Sequence, residues 1–277
     1  MKKDQIKKMV REGYAKVARR KGGCCGPKAA CCAAENNLAQ SISKRIGYSD
    51  EEIKEVPEGA NLGLGCGNPI ALASLKEGEV VLDLGSGAGF DCFLAASRVG
   101  SKGKVIGVDM TSEMLDKARE NARKGNYKNV EFRLGEIENL PVADNSVNVI
   151  ISNCVINLSP DKKQVFQEAF RVLKPGGRLM VSDIVTFKEL PKPIKESAAA
   201  YVGCLSGAIK KSDYLKAIKA AGFKDVKIVE ENIFPLESMA NDPTAKAIMD
   251  NIKITLEEIR ELAASVASIK VHGIKPN

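Results

Sequence analysis

The segment that most constrains the fold is 80–90, in which a run of strand-forming apolar residues passes directly into a glycine-rich turn. Val80–Leu84 has the composition of a buried strand, glycine follows at every second position from Gly85 to Gly89, and 93–96 continues as a helix. A strand, a tight turn and a helix in this order form the first half of a βαβ unit, and glycines let the turn approach a ligand closely. The segment therefore predicts a parallel sheet with a ligand-binding loop.

Short β-rich runs alternate with helical stretches from residue 79 onward. This alternation is typical of βαβ units, so we assign the chain to the α/β class, with a Rossmann-like, doubly wound and mostly parallel sheet. The candidate strands are 79–84, 104–109, 130–134, 147–152, 178–184, 226–229 and 268–274. The one histidine, His272, falls in the last of these runs and is expected to be a strand residue, so histidine-dependent nucleophilic mechanisms are not expected.

Helices are predicted where apolar residues recur at helical spacing. Residues 1–21 indicate a basic amphipathic helix that packs on the body, and Ser159-Pro160 is expected to cap and start another helix. Two more helical stretches lie near 194–201 and 212–221. The chain then divides into a basic helix with a cysteine-rich arm (1–60), a ligand-binding core (61–190) and a C-terminal α+β region that completes or covers the sheet (191–277).

Charge and composition exclude several classes of function. The net charge is +7, but the first 35 residues carry 10 basic and 3 acidic side chains, so the remainder is balanced and nucleic acid is not expected as a partner. We expect no membrane partner, because no apolar run approaches the roughly 18 residues of a membrane span. The N-terminus shows no secretory signal, which predicts a cytoplasmic protein. Eight cysteines in that compartment indicate thiol chemistry rather than a disulfide framework.

The residues around the glycine loop restrict the class of ligand that it can bind. A dinucleotide fingerprint requires its third glycine at position 90, where Phe90 stands, which argues against NAD. Asp109 ends the next strand and can accept hydrogen bonds from both hydroxyls of a ribose. Asp83 places a carboxylate beside the loop, which suits a ligand with an ammonium or sulfonium charge and would repel a diphosphate.

Four segments carry a resemblance to a known family: 82–89, 135–141, 147–152 and 173–179. They resemble the seven-strand, class I S-adenosylmethionine-dependent methyltransferases, and the resemblance covers about residues 75–185. It implies S-adenosylmethionine as the cofactor. The residues that it implies for cofactor binding are Asp83, Gly85, Gly87, Asp109, Met110, Glu136, Ile137 and Asn153.

A narrower resemblance rests on three segments that each contain a cysteine: 63–67, 152–158 and 203–208. They resemble the arsenite methyltransferases, whose arsenic-binding cysteines map onto Cys66, Cys154 and Cys204. The resemblance implies methyl transfer to thiol-bound arsenite and methylarsenite, and hence arsenic detoxification. Trivalent arsenic is soft and thiophilic, and three sulfurs would hold it as a pyramid with one lone pair free to accept the methyl group.

The N-terminal cysteines are Cys24, Cys25, Cys31 and Cys32. Adjacent cysteines do not match the usual spacing of zinc ligands, so we expect no structural zinc. The resemblance implies that one N-terminal cysteine pairs with Cys66. Which of the four does so is open, although Cys31 and Cys32 are favoured because 22–27 looks like an extra loop. The remaining cysteine, Cys92, is expected to be a buried apolar residue.

Methyl transfer to trivalent arsenic formally oxidises it, so two electrons must be supplied afterwards. We expect thiols that close into a disulfide to supply them, with thioredoxin or glutathione as the external reductant. The substrate is then an arsenite–thiol conjugate. The alternatives are a small-molecule C-methyltransferase of the quinone or sterol type, an arsenite sensor whose basic arm contacts nucleic acid, and a nucleic-acid methyltransferase.

Overall fold

A computed structural model of the protein describes residues 2–19, 30–233, 262 and 264–277, without the side chains of 30–37, 72 and 199. The strands are β1 (Val80–Leu84), β2 (Lys104–Asp109), β3 (Val130–Leu134), β4 (Val147–Asn153), β5 (Leu173–Thr186), β6 (Lys224–Ile233) and β7 (Val266–Ile274). The α-helices are α1 (Lys3–Arg19), α2 (Ala30–Arg45), α3 (Asp50–Glu55), α4 (Ile70–Ala73), α5 (Phe90–Val99), α6 (Ser112–Lys124), α7 (Lys162–Val172), α8 (Lys192–Lys195), α9 (Ala198–Val202) and α10 (Lys211–Ala220).

The seven strands form one sheet in the order β3-β2-β1-β4-β5-β7-β6. The first five strands run parallel, and β7 lies antiparallel between β5 and β6. The predicted α/β class with a doubly wound, mostly parallel sheet is confirmed. Because parallel strands end at the same edge, the residues that follow β1, β2 and β4 meet at the carboxyl edge of the sheet.

Helices cover both faces of the sheet, which explains why the central strands are apolar on both sides. One face packs against α7 and α10 through Phe166 and Tyr214, and the other packs against α5 through Phe93 and Leu94. These four side chains are fully buried, and each contributes roughly 2 kcal/mol of apolar burial. The rigid sheet between the two helical layers fixes where its carboxyl edge places side chains.

The strand predictions hold with small differences in length. Predicted strands 104–109 and 130–134 match β2 and β3 to the residue, whereas β5, β6 and β7 are longer than predicted. His272 is a strand residue, as expected, and pairs with Met180 of β5. Strands β6 and β7 show that the C-terminal region completes the sheet, while the three-part division of the chain stays a prediction.

Two helix predictions need correction. The stretch 194–201 is not one helix: α8 ends at Lys195, and the Ser197 hydroxyl accepts a hydrogen bond from the Ala200 amide to start α9. The cap of α7 is Asp161 and not Ser159, because the Asp161 carboxylate accepts the Gln164 amide at 3.2 Å. Across the described residues, no helix has the length and apolar character needed to cross a membrane.

Candidate active site

A cavity of about 880 Å³ opens at the carboxyl edge of the sheet. It is lined by the glycine loop after β1, the residues after β2 and β4, the loop 61–67 and the turn 202–205, with α1 on a further side. A volume of this size suits a ligand as large as a nucleoside conjugate. The cavity therefore brings the predicted ligand loop and the three predicted cysteine segments into one space.

The glycine loop meets β4 and the cavity at different glycines. Gly85 has φ +72°, and a Cβ built on it would lie 2.3 Å from the Val155 side chain, so this position requires glycine. Gly87 has φ +52°, and nothing lies within 4 Å of the position that a Cβ would take there, so its backbone faces open space. The Ser86 hydroxyl is buried beside the same cavity and has no hydrogen-bond partner among the described atoms. The loop thus exposes its backbone at Gly87 to a ligand, while the buried Ser86 hydroxyl lies on the side of Gly107 in β2.

Asp109 ends β2 at the rim of the cavity. Its Oδ2 accepts the Gly87 amide at 2.9 Å and its Oδ1 accepts the Thr111 amide at 2.8 Å. Burial raises the pKa of this carboxyl, and the two backbone donors oppose that shift. Each oxygen keeps a lone pair for a further donor, which fits a diol. Met110 follows and also lines the cavity.

Two further carboxyl groups, Asp83 and Asp91, line the cavity close to the loop. Burial, followed by the charge of Asp91, raises the pKa of Asp83 well above its ordinary value. Burial also raises the pKa of Asp91 to about 6. Neither has an ion-pair partner within the described ranges, so a cationic ligand would stabilise the charged form of both carboxyl groups. Cys92 is buried as predicted, and its thiol donates to Asp83 Oδ2 at 3.2 Å, so it is more than an apolar residue.

Ile137 and Glu138 lie on the cavity wall after β3, whereas the predicted Glu136 points away toward α1. Glu136 accepts a hydrogen bond from Lys7 at 2.7 Å and lies 3.4 Å from Arg11. Glu138 was not predicted. The neighbouring Ile137 and Glu138 both line the cavity and Glu136 does not, and the sequence carries no signal for which carboxylate faces inward.

Helix α1 packs on the body, as predicted, and closes one side of the cavity with Val10 and Tyr14. Its basic side chains face acidic partners on the body: Lys3 pairs with Asp161 at 2.6 Å and Arg19 with Glu113 at 2.5 Å. Part of the positive charge of α1 is therefore paired with carboxylates of the body. Amphipathicity indicated that the helix packs, but nothing in the sequence indicated that it lines the site.

The three predicted cysteines meet in this cavity. Cys66 and Cys154 are bonded through their sulfurs across 88 residues of chain, with Cα atoms 5.7 Å apart. The Cys204 thiol donates to the backbone oxygen of Cys154 at 2.8 Å. Cys154 and Cys204 have φ of +59° and +64°, a left-handed conformation that is uncommon outside glycine and concentrates at functional sites.

Asp183, which sequence reasoning missed, joins this cluster from β5. One of its carboxylate oxygens and the sulfurs of Cys66 and Cys154 all lie within 4.8 Å of one another. Asn157, the Ile184 amide and Tyr214 donate to the carboxylate, and burial raises its pKa to about 7. A lone acidic residue in an otherwise apolar strand was the available signal.

Cys204 is the free thiol of the cluster. Burial, followed by the charge of Asp183, raises the pKa of Cys204 to about 12. The hydroxyl of Tyr14 lies 3.9 Å from its sulfur, which links α1 to the cluster. A thiol in this state is protonated at neutral pH, so it must lose its proton when it binds a thiophilic centre.

Comparisons with known proteins agree with this geometry. A methyltransferase domain family matches residues 75–222. The crystal structure of an arsenic(III) S-adenosylmethionine methyltransferase from Chlamydomonas reinhardtii is similar with a TM-score of 0.61 at 32% identity, covering 87% of this chain and 73% of that one. The chain belongs to the arsenite methyltransferase family.

Arsenite methyltransferases of other organisms extend this comparison. The relative from Halobacterium salinarum is 50% identical over 83% of this chain and 60% of its own length. The relative from Aquipseudomonas alcaligenes is 38% identical over 79% of this chain and 62% of its own length. This member of the arsenite methyltransferase family thus spans about three fifths of the length of the curated relatives it matches.

Four predicted cysteines of this arsenite methyltransferase family member are not placed. Cys24 and Cys25 lie outside the described residues, and the side chains of Cys31 and Cys32 do as well, although α2 contains their backbone. In the structure Cys66 is bonded to Cys154. The pairing of Cys66 with Cys31 or Cys32 stays a prediction for another state of the same thiols.

Proposed function

We propose that this chain transfers the methyl group of S-adenosylmethionine to trivalent arsenic bound by cysteine thiols, with arsenite and methylarsenite as substrates. Arsenite would be held by Cys66, Cys154 and Cys204, whereas methylarsenite, which has two exchangeable oxygens, would be held by two of these thiols. The observation that carries this proposal is the meeting of three cysteines from distant segments in the cavity that also holds the glycine loop. The arsenite methyltransferase relatives support it. A quinone- or sterol-type C-methyltransferase has no use for three converging thiols.

The residues of the cavity fit S-adenosylmethionine. The free lone pairs of Asp109 suit its ribose hydroxyls, the open face of Gly87 suits its methionine part, and Asp83 and Asp91, which have no ion-pair partner among the described residues, suit its positive charges. Met110, Ile137 and Glu138 would then flank the base. When bound, the cofactor supplies an electrophilic methyl group. The protein fixes the direction from which arsenic meets it.

Arsenite binding begins with reduced thiols, so the bond between Cys66 and Cys154 must first be reduced by an external dithiol, or by two thiols, which close into a disulfide in turn. Each cysteine then replaces one hydroxide of arsenite: a sulfur–arsenic bond forms, an arsenic–oxygen bond breaks, and the thiol proton leaves with the hydroxide as water. Three exchanges leave a pyramidal centre whose lone pair is unshared. The thiols thereby aim the arsenic lone pair without a separate general base.

The reaction needs a reductant, since loss of the lone pair to the methyl group raises arsenic to the formal pentavalent state. Two thiolates that close into a disulfide would return two electrons to arsenic, and Cys66 with Cys31 or Cys32 is the pair we propose. Thioredoxin or glutathione would then reduce this disulfide. A cytoplasmic location, where such reductants are abundant, belongs to the same proposal.

The test measures arsenic products by mass spectrometry after incubation with arsenite, S-adenosylmethionine and a thioredoxin system. We expect methylated arsenic from the unchanged protein, and stalling after about one turnover when protein that was reduced beforehand is assayed without added reductant. Cys66→Ser, Cys154→Ser and Cys204→Ser should each lower the rate at least about a hundredfold, because one ligand of the pyramid is lost. Calorimetry should show unchanged cofactor binding in each. Unchanged methylation in Cys154→Ser and Cys204→Ser would show that arsenic is the wrong substrate.

A further inference from the structure

The Asn153 side chain lies between the glycine-loop side of the cavity and the side that holds the three cysteines. It stands at the end of β4, directly before Cys154. Its Oδ1 accepts the backbone amide of Cys66 at 3.0 Å, and its Nδ2 donates to the backbone oxygen of Gly67 at 2.7 Å. One side-chain amide thus holds both ends of the peptide segment that carries the Cys66 thiol. A pair of bonds of this kind fixes the segment in position and in rotation.

The loop that carries Cys66 is shaped to receive this amide. Gly65 has φ +117°, and a Cβ built on it would lie 2.7 Å from Asn153 Nδ2. Only glycine allows the backbone to approach the amide so closely. The close contact therefore needs both partners: Gly65 leaves the space, and the Asn153 side chain supplies the hydrogen-bond donor and acceptor.

The same amide also contacts residues on the glycine-loop side of the cavity. Nδ2 also lies 3.2 Å from Asp91 Oδ2 and 2.9 Å from the Tyr48 hydroxyl, which itself donates to Asp91 Oδ1 at 2.6 Å. Asp91 is in the first turn of α5, the helix that follows the glycine loop. The amide therefore connects a carboxylate of the cofactor wall to the backbone of an arsenic-binding cysteine.

We infer that Asn153 is a positioning residue for Cys66. It holds Cys66 opposite Cys154, so that the sulfurs of Cys66, Cys154 and Cys204 can all bind one arsenic atom. This inference rests on the proposed function. It extends the role predicted from the sequence, in which Asn153 only lined the cofactor pocket. Without the amide, the 65–67 backbone loses its donor and its acceptor, and Cys66 is no longer held at bonding distance from a centre that Cys154 and Cys204 share.

The test counts arsenic–sulfur bonds by X-ray absorption in phosphine-reduced, arsenite-loaded protein. We expect three sulfurs per arsenic in the unchanged protein and two in Asn153→Ala, with arsenite affinity at least roughly tenfold weaker, since two hydrogen bonds to the loop are lost. Cys66→Ser provides the reference for two sulfurs. Asn129→Ala is the matched control: its half-buried amide also bridges two backbone oxygens, those of Ala96 and Gly100, and it should keep three sulfurs.

Three sulfurs in Asn153→Ala with unweakened arsenite affinity would overturn the inference, and so would a loss confined to cofactor affinity. If Asn153→Ala does not fold, Gly65→Ala displaces the loop from an intact Asn153 and must give the same two-sulfur result. Failure of the proposed function is distinct, because then the unchanged protein itself would not hold arsenic through three sulfurs.

Discussion

The two halves of the cavity are built in different ways. Most of the cofactor half comes from one continuous stretch, in which β1, the glycine loop, α5 and β2 place Asp83, Gly87 and Asp109 within a short length of chain. The thiol half takes Cys66, Cys154 and Cys204 from a loop before β1, the end of β4 and a turn after α9. The first half depends on local backbone geometry, whereas the second depends on the strand order of the whole sheet.

The largest test of this comparison targets the place where the halves touch. Gly85→Ala should destabilise the protein by about 3 kcal/mol or more, because its Cβ would collide with Val155, the residue after Cys154, at a positive φ. Gly87→Ala has the same backbone strain but no collision, and should cost only about 1 kcal/mol. Urea unfolding of both variants measures the difference. Equal costs would mean that the loop does not depend on the end of β4.

The difference between the halves also explains what the sequence could predict. The strand, glycine loop and acidic residue of the cofactor half lie in a fixed order, so their contacts follow from the βαβ unit alone. The convergence of the three cysteines was predicted only through the family resemblance. Spacing alone does not bring Cys66 next to Cys154, because the loop that carries Cys66 is held by residues of three other strands, Asn153 of β4, Ser182 of β5 and Ser268 of β7.

Contacts made by single side chains were not predictable. Asp183 reaches the sulfurs from β5, Glu138 rather than Glu136 faces the cavity, and Asn153 holds the Cys66 loop. Each depends on side-chain direction at the end of a strand or in a loop, which is set by tertiary contacts that the sequence pattern does not show. The antiparallel insertion of β7 between β5 and β6 is likewise a property of long-range pairing.

Within the cofactor half, the next largest effect is expected from Asp91, on the pH dependence of the free energy of unfolding. Its folded pKa of about 6 lies above the ordinary unfolded value of about 3.9, so the native state holds the proton longer. The stability from this group is present below about pH 4 and is lost as the pH rises to about 6, on the order of 3 kcal/mol. Asp91→Asn should remove that part of the slope. Free energies of unfolding between pH 4 and 7, without cofactor, compare the two proteins; parallel curves would contradict the assignment.

A substitution of Asp109 tests whether the two halves bind their ligands independently. Asp109→Asn keeps the size of the side chain but loses the charge that strengthens hydrogen bonds to the ribose, so cofactor affinity should fall roughly thirtyfold. Arsenite binding to the reduced protein should stay within twofold, because no hydrogen bond described for Asp109 is to Cys66, Cys154 or Cys204. Calorimetry with each ligand alone measures both. A matching loss of arsenite affinity would show that the halves are not independent in this direction.

The smallest effect concerns α1, which touches both halves. Lys7 is mostly buried and bridges Glu136 at 2.7 Å and Glu138 at 3.5 Å, so it holds the helix against the loop on the base side of the cavity. Lys8, one residue later, is 77% exposed, and its one ion-pair partner in the described part of the chain is Glu12 of α1 itself, at 4.0 Å.

Lys7→Gln should therefore weaken cofactor binding about threefold, whereas Lys8→Gln should leave it unchanged, since an exposed pair contributes little. Salt distinguishes an ion pair from a packing effect: the gap between the two variants should narrow as ionic strength rises, because added ions screen the charges that Lys7 pairs with. Cofactor titrations at low and high salt provide the measurement. A gap that persists at high salt would mean that Lys7 acts through the packing of its stem against the loop rather than through its charge.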